Sequence, residues 1–198
     1  MSDSLITKKA MAESIKALMK KKSLNKITVS DIVQSCGLNR QTFYYHFKDK
    51  YDLVNWIYYN EIVTTLAKAS ENGEWDDAML RALNIMKREK FFYIGSLNMD
   101  GQNIFYNYLF QATKEMLLTI IAQFTENSQQ ELNMDLTDRN FIAEFYTYGL
   151  VGMVIQWAKQ GMKEPPNEIV SRLRHFIDDS ERVSAARCLK KCPEAKLP

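Results

Sequence analysis

The chain has 198 residues, of which 46% are apolar types and 25% charged, with only seven glycines and four prolines. That composition excludes a disordered, collagen-like or low-complexity protein, and the length suits one medium domain or a small one joined to a larger one. The net charge of +2 hides an asymmetry: residues 1–50 hold ten bases and four acids, residues 51–198 hold 16 bases and 20 acids, so a basic anion-binding module on a mildly acidic carrier is expected.

The punctuation is helical. Ile6, Ala10, Met11, Ile15, Ala17 and Leu18 recur at intervals of three and four, with lysines on the other face, and predict a first helix ending near Lys22. Thr28-Val-Ser-Asp31 has the form of a capping box, which opens a second helix to about Ser35. Gly37 can supply a left-handed turn. Asn39 can cap a third helix, Arg40 to Phe47, and Asp49 and Asp52 mark a long fourth one to about Ala69, broken at Asn72-Gly73. Helical periodicity returns over Trp75 to Lys87. A short apolar segment, Phe91 to Leu97, precedes the Asp100-Gly101 break. Long helices are predicted over Phe105 to Glu126 and, capped by Thr137 or Asp138, to Gln160, with a polar loop over 127–136 between them. Pro165 and Pro166 fit the first turn of a last helix to about Asp179. No stretch alternates with period two and no repeat is visible, so an all-α fold of about nine helices is expected, divided as 1–50, 51–180 and a polar tail, 181–198.

No apolar run reaches the length of a membrane span, and the N-terminus has no signal-peptide pattern. Three cysteines, two of them in the last eleven residues, are not a disulfide framework. The expectation is a soluble cytoplasmic protein without membrane partners. Cys188 and Cys192 with His175 lack a fourth metal ligand. His46 and His175 lie in different elements, and no nucleophile elbow, P-loop or dinucleotide fingerprint occurs. Neither catalysis, nor a metal, nor a cofactor is expected.

The second helix, the Cys36-Gly37-Leu38 turn and the short third helix form a helix-turn-helix pattern. In the third helix Phe43 and Phe47 lie four apart and can face a core. Arg40, Gln41, Thr42, Tyr44, Tyr45 and His46 spread over the remaining faces. Those side chains can reach base edges and phosphates: Arg forks onto guanine, Gln pairs with adenine, hydroxyls hold phosphate.

Here the chain resembles the TetR family of bacterial transcriptional regulators. The residues that carry the resemblance are Thr28-Val-Ser-Asp-Ile32, Gly37-Leu38 and above all Thr42-Phe-Tyr-Tyr-His-Phe-Lys-Asp-Lys50 followed by Leu53. It covers about residues 5–55, with a further likeness over Tyr146 to Met162. It implies a three-helix DNA-binding domain on a helical effector-binding and dimerisation domain. Residue by residue, it implies that Thr28 caps helix two and touches phosphate. Arg40 and Gln41 enter the major groove, and Thr42, Tyr44, Tyr45 and His46 divide between phosphate and bases. Lys50 binds phosphate at the start of helix four. The chain departs from many members in having Lys22-Ser23-Leu24 where they have a glycine. That departure, Arg40-Gln-Thr-Phe-Tyr44 and the aromatic-rich body are also similar to the subgroup that regulates dihydroxyacetone kinase operons.

The body's aromatics must mostly be core, but Phe92, Phe105, Tyr108, Phe145 and Tyr146 are candidates to line an effector pocket. Gly149 and Gly152 would let another helix approach closely, and with Met153, Gln156 and Trp157 they suggest a helix–helix interface. The resemblance places the dimer contact on the last two helices, which adds Ile169, Leu173 and Phe176. One helix-turn-helix reads few base pairs, so a homodimer on a pseudo-palindromic double-stranded operator is expected. The leading expectation is a repressor released when a small effector shifts helix four. The alternative is an activator whose body binds a protein coactivator.

Overall fold

The computed structural model describes the backbone of residues 3–70, 75–97, 104–127 and 135–176, and their side chains except 68–70, 104 and 123–127. The expected breaks at 72–73 and 100–101, most of the polar loop at 127–136 and the tail lie outside the described residues. The chain forms two compact units, residues 1–163 and 164–198.

Among the described residues every regular element is helical. The first unit contains α1 (Asp3–Met19), a 3-10 turn (Leu24–Lys26), α2 (Val29–Ser35), α3 (Arg40–His46) and α4 (Lys50–Tyr58). A π turn (Tyr59–Val63) leads into α5 (Thr64–Ser70), followed by α6 (Trp75–Arg88), α7 (Lys90–Leu97), α8 (Ile104–Asn127) and α9 (Leu136–Lys159). The second unit is described over α10, residues 166–176. No described helix is long and apolar enough to cross a membrane.

The helix ends follow from local chemistry. Thr28 and Asp31 close the expected capping box, each accepting the other's backbone N–H. Asn39 Oδ1 accepts the Thr42 amide at 2.8 Å and so starts α3. Gly37 (φ +70°) and Gly161 (φ +75°) end α2 and α9 alike: the residue after each glycine donates back across the last turn, Leu38 to Val33 O and Met162 to Trp157 O. One expectation needs correction and one segment is defined further. The apolar segment at 91–97, whose pattern alone indicates no element type, forms α7. The cap of α9 is Asp135, whose carboxylate accepts the Asp138 amide at 2.7 Å, so Thr137 and Asp138 lie inside the helix.

The core begins where α1 buries Met11, Ile15 and Met19 against Ile32, Phe43, Leu53 and their neighbours. The α1 helix continues past this cluster and packs on α7. There Gly95 permits close approach, since a Cβ at that position would sit 2.8 Å from Met19 Cε. In the body α8 and α9, of 24 residues each, pack along one another.

The fourth helix is interrupted for a reason visible in its burial. Val54, Tyr58, Ile62 and Leu66 are buried and fall four apart. In a pure α-helix such a stripe drifts about 40° per step. The π turn absorbs the drift, with the Thr64 amide donating to Tyr59 O, five residues back.

Candidate DNA-binding interface

The third helix is positioned by its two phenylalanines. Phe43 and Phe47 are almost wholly buried, and Trp56 stands edge-on to Phe47 at 5.9 Å. With that face fixed, Arg40, Gln41, Tyr44 and Tyr45 are exposed, Tyr45 at 82%. Thr42 and His46 are half-buried. An aromatic residue that exposed on a short, well-capped helix has no packing role in the isolated chain. Among the described residues the Tyr45 ring pairs with the neighbouring His46 ring, at 4.9 Å.

The polar groups are partly organised among themselves. The Arg40 guanidinium donates to Tyr44 Oη at 3.4 Å and lies 5.9 Å from that ring. Thr42 Oγ1 donates to Asn39 Oδ1. The Thr28 hydroxyl donates to Asp31 at 2.9 Å, which uses its only proton. Thr28 is therefore a cap, as expected, but the expected phosphate contact would have to compete with a carboxylate. That carboxylate is stabilised by the Thr28 amide, by Lys22 at 2.9 Å and by the Thr28 hydroxyl, which hold Asp31 at about 2.

Lys50 departs further from its expected role. Its ammonium donates to the carbonyl oxygens of Leu24 (2.8 Å), Ile27 (2.8 Å) and Asn25 (3.2 Å). A lysine has three donors, and all three are taken. Burial pulls its pKa below the ordinary lysine value. The start of α4 is filled as well, because Asp49 accepts the Tyr51 and Asp52 amides. Lys50 thus ties the 3-10 turn to α4. The base that sequence reasoning passed over is Lys48, which is exposed and makes no ion pair among the described residues. It stands two places before Lys50 in the same string, directly after α3, and the string itself does not reveal which lysine is spent internally.

The expected pocket does not assemble. Phe92 and Phe105 are buried in packed surroundings. Phe145 (63%) and Tyr146 (36%) are exposed. Among the described residues an apolar cavity of about 40 Å³ is lined by residues such as Tyr58, Leu66, Leu83, Met116 and Val151, and by none of the five candidates. Tyr108 instead lines a neighbouring surface groove of about 420 Å³ with Tyr59, Gln111 and Glu115.

The expected interface residues divide. Gly149, Gly152 and Gln156 are exposed, and a Cβ on either glycine would meet nothing within 4 Å. Phe141, Phe145 and Tyr148 continue that open face of α9. Trp157 is buried on the core side of the helix, while Met153, one turn after Gly149, is half-buried between the open face and the apolar cavity that it borders. In the second unit Ile169 is buried, Leu173 half-buried and Phe176 exposed.

Comparison with known proteins completes the picture. Residues 13–57 match the family described as bacterial regulatory proteins, tetR family, and residues 73–179 match the transcriptional regulator C-terminal region. The HTH-type dhaKLM operon transcriptional activator DhaS of Lactococcus lactis subsp. lactis (strain IL1403) is 27% identical over 145 residues, covering 73% of this chain and 75% of that one. A solved structure of a dihydroxyacetone kinase operon activator DhaS has the same fold, with a TM-score of 0.72 at 21% identity over 90% of this chain and 98% of that one. The chain belongs to the TetR family: it is a DNA-binding regulator of transcription and not an enzyme.

Proposed function

We propose that the chain acts as a homodimeric activator of transcription, controlled through a protein partner rather than by a small molecule enclosed in its body. The observation that supports this reading is the small size of the apolar cavity that Tyr58, Leu83, Met116 and Val151 line among the described residues. At about 40 Å³ it has room for a water, whereas sites for small molecules run to about 300–1,000 Å³. Aromatic surface is instead spent outward, at Phe91, Phe141, Phe145 and Tyr148. The name of the Lactococcus relative, an operon activator, points the same way.

In this reading α3 lies in the major groove. Arg40 and Gln41 read base edges, Tyr45 adds a ring and a hydroxyl at the contact, and Lys48 neutralises a phosphate. Thr28 and Lys50 hold the reader in shape. A second copy covers the open face of α9, so that two recognition helices address the two halves of one operator.

A second reading is favoured by the surface groove of about 420 Å³, which is of ligand size and carries Tyr59, Tyr108, Gln111 and Glu115 as polar handles. An effector seated there would press on the π turn and release the protein from DNA, as a repressor requires.

One pair of measurements separates these. Fluorescence anisotropy on a duplex of the protein's own upstream region tests specific DNA binding, with a scrambled duplex as reference. Deletion of the gene then lowers transcription of the neighbouring operon for an activator and raises it for a repressor. A rise sinks the activator reading.

A further inference from the structure

Three elements of the first unit meet on one carboxylate. Glu61 lies inside the π turn. Its Oε1 accepts the ammonium of Lys16, from α1, and its Oε2 accepts the Tyr93 hydroxyl, from α7, at 3.0 Å. Lys16 is a charged residue only 5% exposed, with Glu13 as a looser second partner at 3.6 Å and the Phe92 ring 6.0 Å away. Tyr93 is fully buried. A buried lysine is costly unless paired, and breaking such a pair costs more than replacing both partners with apolar groups. The charge is therefore no gain over a Leu or Met in packing. What a charged, three-way contact adds is a definite geometry.

The geometry it fixes is the winding of the fourth helix. A π turn holds more residues per turn than the α-helix around it, so its loss rotates α4 about its own axis against α5 by on the order of 100°, one residue's turn, while its migration turns the residues it passes. The α4 helix packs on α1 and follows directly on the recognition helix. The carbonyls that the π turn loosens are picked up by side chains: Thr64 donates to Asn60 O at 2.6 Å and Thr65 to Glu61 O at 2.7 Å. The turn is thus supported from within and, through Glu61, held from both sides. Gly95, on the same helix as Tyr93, faces the end of the Met19 side chain of α1, where a Cβ would come within 2.8 Å of Cε.

We propose that Glu61, clamped by Lys16 and Tyr93, is a positioning residue that locks the π turn and thereby fixes the orientation of the DNA-reading head on the body. Lys16 is the head's side of the clamp and Tyr93 the body's side. A partner or ligand that moves α7, or that draws Glu61 away, unlocks the head without touching it. The functional meaning of the clamp rests on the head being the DNA reader. The distance measurement below does not, so the two can fail separately.

The test uses the full chain with Cys36, Cys188 and Cys192 replaced by alanine. Spin labels are placed through Gln34→Cys on α2 and Arg81→Cys on α6, both exposed positions, and labelled chains are diluted with unlabelled ones. The parent should give one narrow distance distribution between head and body. Lys16→Met/Glu61→Leu removes both charges together, so no unpaired charge is left buried. The distribution should then broaden or shift by several ångströms, and amide exchange at residues 59–64 should rise at least tenfold. Tyr93→Phe removes a single hydroxyl and should produce the same change in smaller measure; it decides the matter if the double variant does not fold. A variant that folds with the parent's narrow distribution overturns the proposal. So does a broadened distribution with unchanged exchange at 59–64.

Discussion

Lys50 Nζ lies 2.8 Å from the carbonyl oxygen of Ile27, and Leu24 O and Asn25 O take its other two protons. A lysine in that position holds the loop between α1 and α2 against the start of α4. Lys50→Met should lower the unfolding free energy by about 1–2 kcal/mol, the worth of charge-assisted bonds at a partly exposed site. It should leave the salt dependence of DNA binding unchanged. Lys48→Ala should do the reverse: stability is kept, and the slope of log affinity against log salt flattens by about one unit. Urea unfolding and anisotropy titrations across salt read both. A flattened slope with intact stability in Lys50→Met would return Lys50 to the phosphate.

The capping box of α2 should be visible as a titration. Asp31 is held at about 2, below its ordinary 3.8, first by the Thr28 amide and then by Lys22 and the Thr28 hydroxyl. A carboxyl depressed on folding contributes stability that is fully present above pH 3.8 and is lost as the pH falls toward 2. Carboxyl-detected NMR should give a midpoint near 2, and Lys22→Met should move it up toward 3.8. A midpoint at 3.8 in the parent protein would mean that the box is open in solution.

What the sequence reveals about this molecule depends on the range of the interaction. Caps and turns are local, and Thr28–Asp31, Asn39 and Gly37 read correctly because each partner lies within a few residues. The α9 cap does not read from the string, because Asp135, Thr137 and Asp138 crowd one turn and only geometry decides which oxygen reaches an amide. The burial of Phe43 and Phe47 follows from their spacing. Lys50 does not read from the string, since its partners are backbone carbonyls 23–26 residues away, and a carbonyl has no letter. The same holds for Glu61, whose partners lie 45 residues before and 32 after it. Which aromatics face inward does not read from composition: Phe92 and Phe145 look alike in the string, and only the packing of neighbouring helices buries the first and exposes the second.

Arg40 and Tyr44 should prove unequal although they touch. Arg40 Nη2 to Tyr44 Oη is 3.4 Å, a weak bond on an exposed face. In the complex Arg40 is expected to exchange it for a guanine edge. Arg40→Ala should lose about 1–3 kcal/mol of discrimination at one base pair per half-site, measured by competition among singly substituted duplexes. Tyr44→Phe, which only frees the guanidinium, should change that discrimination far less. Equal losses in the two variants would place the specificity in the pair rather than in Arg40.

The open face of α9 allows a test by sign. In the single chain a Cβ at Gly152 meets nothing within 4 Å, and glycine inside a helix costs about 1 kcal/mol relative to alanine. If the face stays in water, Gly152→Ala should stabilise the protein by up to that amount at every concentration. If a second copy lies across it, the added methyl group holds the two helices apart. The variant should then be more stable than the parent when dilute and less stable when concentrated, where association supports the fold. Phe145→Glu should push the same equilibrium further, because a ring 63% exposed in the single chain contributes little to its own subunit's core while a carboxylate in an apolar interface is costly. Sedimentation of that variant should give a monomer of 23.1 kDa with undiminished helix content. A dimer that survives Phe145→Glu, together with a Gly152→Ala gain that does not vary with concentration, would move the subunit contact away from this face and leave its aromatics to another partner.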